Sequence, residues 1–130
     1  PVDASYAYVI SVPHETVKLS IYNRPGPHSL KIVANSSKVQ AVLHKRYSIV
    51  GMVFYAPDSV EMSSKLTVAV DKPCIVLIQQ TKPDSVMVSV SNPENEAISV
   101  NVELNGKTDT FDLPGGIYAG QSLTKNIVVD

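Results

Sequence analysis

The sequence predicts an all-β chain made of antiparallel β-sandwich pieces, and three observations carry that reading. Runs rich in Val, Ile, Tyr and Thr recur at short spacing along the 130 residues, and β-branched and aromatic side chains suit the pleated, half-buried surface of a sheet. Clusters such as "NRPGP", "ANSSK", "TKPD", "SNPENE" and "LPGG" separate those runs and supply turn chemistry. The pair Asn105-Gly106 stands between two alternating runs, where both residues of a type I′ hairpin turn need positive φ. Many short strands parted by turns make a sandwich.

The elements follow in order. A first strand is predicted at Ser5–Ile10. In "PHETVKLSIYN", Val17, Leu19 and Ile21 alternate as in a strand. Pro13 and Glu15 nevertheless suit the first turn of a helix, and Val17 and Ile21 stand four apart, so a short helix is predicted there. Strands follow at Leu30–Ala34, Val39–His44 and Ser48–Tyr55, then a loop "APDSVEMSS", then a strand at Leu66–Val70. A domain boundary is predicted at Asp71-Lys72-Pro73, since proline has no N–H to donate inside a ladder. Residues 1–70 then read as the C-terminal part of a larger sandwich, and residues 71–130 as a small C-terminal sandwich.

Within the second piece, Cys74–Gln80 is apolar on both faces over Ile75–Ile78, which suits a strand between two packed layers. Ser85–Val90 is the next strand. In the Asn105-Gly106 hairpin, Ile98–Leu104 pairs with Thr108–Leu113. Counting outward from the turn puts Val100 opposite Phe111 and Ile98 opposite Leu113, with Ser99, Asn101 and Glu103 on the other face. Leu123–Val129 closes the series.

Composition excludes several functions. A net charge of −1 and scattered lysines offer nucleic acid no basic stripe. No apolar run approaches the roughly 18 residues of a membrane span. Cys74 is the only cysteine, so no disulfide framework or cysteine-based zinc cluster is expected, and the thiol reads as a small hydrophobe. The chain opens without Met or a signal-peptide pattern, and "PVDASYAYVI" enters strand-like sequence at once. It reads as a mature product or as a piece of something longer.

Candidate sites are few, and no catalytic, metal or cofactor site is predicted. "HKRY", residues 44–47, has suitable residue types for acid–base work, but strand alternation sends His44 and Arg46 to one face and Lys45 and Tyr47 to the other. His14 and His28 sit beside prolines, far apart along the chain. Asp109 and Asp112 flank a strand and Glu94 and Glu96 lie in a loop; none forms the converging oxygen series that calcium needs. Tyr6 and Tyr8 share one face of the first strand and are the candidates for glycan contact, against the plainer reading as core aromatics.

An ordered series of segments carries a family resemblance. "ASYAYVI", "KIVANSSKVQAVLHK" and "VGMVFYAP" resemble the late central β-sandwich of polysaccharide lyase family 8, which includes the chondroitin AC, chondroitin ABC, hyaluronate and xanthan lyases. "VDKPCIVLIQQ" followed by "DSVMVSVSNP" resembles the opening of that family's small C-terminal sandwich. The resemblance is clearest from Ala4 to Pro93. It implies a parent enzyme whose α/α toroid holds catalytic Asn, His, Tyr and Arg. That enzyme removes the proton α to a uronic-acid carboxylate and expels the glycosidic oxygen from C4.

None of those catalytic positions can be matched here. The resemblance therefore implies a non-catalytic region that buttresses upstream catalytic domains and borders the glycan cleft, meeting acidic polysaccharide only through the parent. It also implies a secreted or periplasmic location. A free-standing carbohydrate-binding module is the alternative, weakened by 6% aromatic content and no tryptophan; an Ig-like structural module is another. Severed sheet edges would promote self-association, with residues 71–130 expected to behave better alone.

Overall fold

The computed structural model describes Tyr8, Pro25, Gly26 and residues 29–129. The predicted first strand, apart from Tyr8, and the predicted helix over 13–23 lie outside those residues. Ten strands follow: β1 (Leu30–Asn35), β2 (Val39–His44), β3 (Ile49–Phe54), β4 (Asp58–Ser63), β5 (Leu66–Val70), β6 (Cys74–Lys82), β7 (Ser85–Ser91), β8 (Ile98–Leu104), β9 (Lys107–Leu113) and β10 (Leu123–Val128). They form a six-stranded sheet in the order β1-β2-β3-β6-β7-β10 and a four-stranded sheet in the order β4-β5-β8-β9. Every pairing is antiparallel. The all-β sandwich predicted from sequence is the observed fold.

Alternation builds the core between the sheets. Val50, Met52 and Phe54 of β3, Cys74, Val76 and Ile78 of β6, and Val86, Val88 and Val90 of β7 point inward. They meet Val60, Val68, Val70, Val100, Val102, Leu104, Phe111 and Leu113 from the other sheet. Burying each such side chain is worth about 1.5–3 kcal/mol. The hairpin has the predicted register, with Val100 opposite Phe111 and Ile98 opposite Leu113, and φ is 50° at Asn105 and 84° at Gly106.

Three expectations are corrected. The segment read as a loop, "APDSVEMSS", contains β4, anchored by Val60 buried opposite Val68 and by Met62 half-buried against the core. Strand β6 is not buried on both faces: Val76 is 0% exposed, but Ile75 and Leu77 are 38% and 42% exposed. The boundary at residues 70/71 is the connection from β5 in one sheet to β6 in the other. Strands from both sides of Asp71 share both sheets and one core. Pro73 starts a strand, as its missing N–H requires, but it does not start a domain.

That connection is pinned. Asp71 accepts hydrogen bonds from the Asn101 backbone N–H and side-chain amide, each 2.8 Å, and the Lys72 ammonium donates to the Ser99 carbonyl at 2.7 Å. On the opposite side Lys125 of β10 donates to the Thr110 carbonyl of β9 at 2.7 Å and pairs with Asp109 at 3.6 Å. Its ammonium stands 4.8 Å from the Phe111 ring centroid, within cation–π range.

Two expectations follow. Val76→Asp places an unpaired charge in the centre of the core, and the cooperative thermal transition should be lost by circular dichroism. A chain cut to residues 71–130 lacks β3 beside β6 and β5 beside β8. It should give the collapsed proton NMR dispersion of an unfolded chain, contrary to the expectation that it behaves well alone.

Candidate functional site

Of the polar residues named from sequence, a turn brings together those of "HKRY". The chain leaves β2 through a 3-10 turn at Lys45–Tyr47 that closes on Ser48, whose φ is 49° and whose N–H donates to the Lys45 carbonyl. The turn replaces the strand alternation expected for "HKRY". His44 and Tyr47 therefore meet, ring centroids 4.8 Å apart and tilted by 34°, and the Arg46 guanidinium lies 5.7 Å from the Tyr47 ring. His44 Nδ1 is buried and finds no hydrogen-bond partner among the described residues. Nδ1 so placed has no described partner to which it could pass a proton.

Beside that turn the sheets part around a cleft of about 740 Å³. Leu43, Val50, Ile78 and Val86 line it from the six-stranded sheet, and Met62 and Leu66 from the β4–β5 hairpin. Lys45 and Lys65 stand on its lips, one from each sheet, with Asp84 from the β6–β7 turn. Its walls are the outermost layer of the core rather than a set of groups converging on a reacting atom.

The remaining candidates are dispersed. Tyr8 is 74% exposed, and Tyr6, His14 and His28 lie outside the described residues. Asp109 is held by Lys125, and Asp112 accepts from the Ser99 hydroxyl on the neighbouring strand. Glu94 and Glu96 belong to a loop organised by buried Asn92, which receives the Glu94 N–H at 3.0 Å and donates to the Glu96 carbonyl at 2.8 Å. Among the described residues no group of His, Cys, Asp and Glu is arranged to hold a metal ion. No helix among them is long and apolar enough to cross a membrane.

Sequence reading missed the polar residues that do the most structural work. Asp71 and Asn101 were placed on a boundary and a wet face, with no sign that they pair 30 positions apart. Asn105, read only as a turn former, also accepts from the Thr67 N–H at 2.9 Å and donates to the Lys65 carbonyl at 2.8 Å. It thereby joins the two hairpins of the four-stranded sheet. Periodicity carries no signal for such partners; only the β5–β8 register brings them together.

Cys74 opens β6 at full burial. Burial pushes its thiol from an ordinary 9.0 up to about 12, and the nearby Asp71 carboxylate adds to the rise. A thiol that stays protonated is a poor nucleophile.

Comparison with known proteins bears on this arrangement. The sequence profile of the C-terminal β-sandwich domain of polysaccharide lyase family 8 matches residues 31–101 and runs across Asp71 without a break. A chondroitinase-AC from Pedobacter heparinus is 30% identical over 95% of the chain, which covers 18% of that enzyme. A hyaluronate lyase from Thermasporomyces composti is 31% identical over 81% of the chain and 13% of its own length. In fold, a solved structure of chondroitinase AC lyase with oligosaccharides superposes with a TM-score of 0.68. It is 23% identical over 84% of the chain and 17% of that structure's chain. The chain thus spans less than a fifth of the relatives it matches.

The thiol gives a direct check. Ellman's reagent at pH 8 should leave Cys74 unmodified in the folded chain and label it fully in urea. Stability should be unaffected by this group below about pH 9 and fall as pH rises from 9.0 towards about 12. In that window the unfolded chain releases the thiol proton and the folded chain keeps it. A Cys74→Ala variant should lose that component of the alkaline decline.

Proposed function

Because the chain belongs to polysaccharide lyase family 8, through that family's C-terminal β-sandwich domain, we propose that it is the non-catalytic C-terminal sandwich of an enzyme that cleaves uronic-acid glycans by β-elimination. The observation that carries this reading is where its reactive side chains are spent. Asp71, Asn101, Lys125, Asp109 and Asn92 hold strands and loops in place, and Cys74 is packed in the core.

Elimination needs a base within reach of the proton α to the carboxylate and groups that neutralise that carboxylate as charge develops. Lys45 and Lys65 line the cleft and His44 stands beside it in sequence, but His44 faces Tyr47 and its Nδ1 has no hydrogen-bond partner among the described residues. The chain contributes instead by buttressing the upstream catalytic domains, and it meets acidic polysaccharide through them. Tyr8, exposed ahead of the first described strand, is the described residue proposed to border the glycan cleft. Export from the cytoplasm fits a substrate that is itself an extracellular polymer.

The 130-residue chain alone should produce no unsaturated uronic product from chondroitin, hyaluronan or xanthan, followed by ultraviolet absorbance. Turnover by the purified chain that disappears on His44→Ala would overturn the non-catalytic reading. Deleting residues 29–130 from the parent enzyme should lower its melting temperature and activity together. An unchanged melting temperature would sink the buttressing role.

A further inference from the structure

The two sheets differ on the faces they turn away from the core. On the four-stranded sheet the outward residues are Ser59 and Glu61, Thr67 and Ala69, Ser99, Asn101 and Glu103, and Thr108, Thr110 and Asp112. That is the polar outside expected of a sandwich exposed to water. On the six-stranded sheet the same alternation delivers an apolar row. Ile32 pairs with Val42, Val42 with Gly51, and Gly51 with Leu77 across four adjacent strands. Val53 pairs with Ile75 one step along.

Ile32, Val42, Ile75 and Leu77 are 49%, 43%, 38% and 42% exposed. Directly opposed side chains on neighbouring strands stand about 5 Å apart, so these residues form one patch rather than scattered exceptions. Gly51 leaves a trough in its middle, with Leu77 Cδ1 at its side. A contiguous apolar face of this kind marks an interaction surface.

The chemistry of the face selects its occupant. None of Ile32, Val42, Gly51, Val53, Ile75 and Leu77 carries a charge or a side-chain hydrogen-bond donor, so the centre of the face offers an anionic glycan nothing to pair with. Its polar margins are Gln40, which accepts from the Tyr55 hydroxyl at 3.0 Å, and Ser89 and Ser91 of β7, opposite Leu77 and Ile75. The chain enters the sandwich through β1, the edge strand of this same sheet, and Ile32 of β1 belongs to the patch. More than four-fifths of the matched chondroitinase AC lies outside the stretch that this chain covers. We propose that the outer face of the six-stranded sheet, centred on Val42, Gly51 and Leu77, is where the sandwich docks against the apolar surface of the upstream part of its own polypeptide. The inference rests on the buttressing role proposed above and assigns it a surface.

The test places Val42→Lys and Leu77→Lys, separately, in the parent enzyme and in the 130-residue chain, with Glu103→Lys on the opposite sheet as control. In the 130-residue chain the melting temperatures should stay at the wild-type value, since the substituted side chains are exposed there. In the parent enzyme, limited proteolysis just ahead of Leu30 should quicken at least tenfold, and the sandwich should melt as a separate calorimetric transition. Glu103→Lys should do neither.

Wild-type proteolysis and melting in the parent variants would overturn the proposal. If the deletion of residues 29–130 still lowers the parent's melting temperature, buttressing survives and only this surface is wrong. A fall in the melting temperature of the 130-residue chain would assign the face to a segment of that chain itself and would also overturn it. So would sedimentation of the 130-residue chain as a dimer that Leu77→Lys dissociates while the parent variant is unaffected, which would assign the face to a second copy.

Discussion

The placement of β6 between β3 and β7 is the constraint on which the rest of the sandwich depends. The chain reaches it from β5 in the opposite sheet, by one of the four crossings between the sheets that follow β1. Cys74, Val76 and Ile78 then project into the core with almost no exposure. Their neighbours on either side, Phe54, Met52 and Val50 of β3 and Val90 and Val88 of β7, lie in the same layer. Because the side-chain period of a strand is two, a slip of one residue in β6 would exchange Val76 for Ile75 and Leu77 throughout that layer. It would also move Cys74 away from the crossover.

Polar residues hold the two sheets where apolar packing is non-directional. Burial alone does not fix how one sheet rotates over the other. Asp71 takes both the backbone and the side chain of Asn101 at the start of the crossover. Lys125 joins β10 to β9 through a carbonyl, a carboxylate and an aromatic ring. Both clasps are exposed, and an exposed ion pair is worth no more than about 1 kcal/mol. Their role is geometric: the first fixes where the chain leaves the four-stranded sheet, and the second ties an edge strand of one sheet to an edge strand of the other.

Legibility from sequence followed the range of the signal. The Asn105-Gly106 hairpin was readable to the residue, because turn geometry fixes register locally. Most strand cores were readable from β-branched alternation. Strand β4 was not, since Val60 is its one fully buried residue, and serine and acidic side chains at its outward positions imitate a loop. The 3-10 turn at Lys45–Tyr47 broke an alternation that looked continuous and brought His44 onto Tyr47. Pro73 was rightly assigned to the start of a strand. The inference from strand start to domain start failed because a crossover between sheets needs the same break in pairing. The pairing partners of Asp71, Asn105 and Lys125 were invisible, since each depends on non-local register.

The apolar run over Ile75–Ile78 had the wrong partner assigned to it rather than the wrong chemistry. Two apolar faces on one strand imply that both are covered, and the sandwich itself covers only the face carrying Val76 and Ile78. Ile75, Leu77, Val42 and Ile32 are only partly covered by their neighbours within this sheet. Their presence on one sheet and absence from the other is information about what lies beyond the domain. Since they are aliphatic and uncharged, the surface proposed to dock there is a protein surface of the same character. Under the function proposed above, a domain whose described polar groups are committed to its own fold, and whose surplus apolar surface lies on the sheet through which the chain enters, would influence a reaction by position. It would do so by holding neighbouring parts of the polypeptide in a fixed relation.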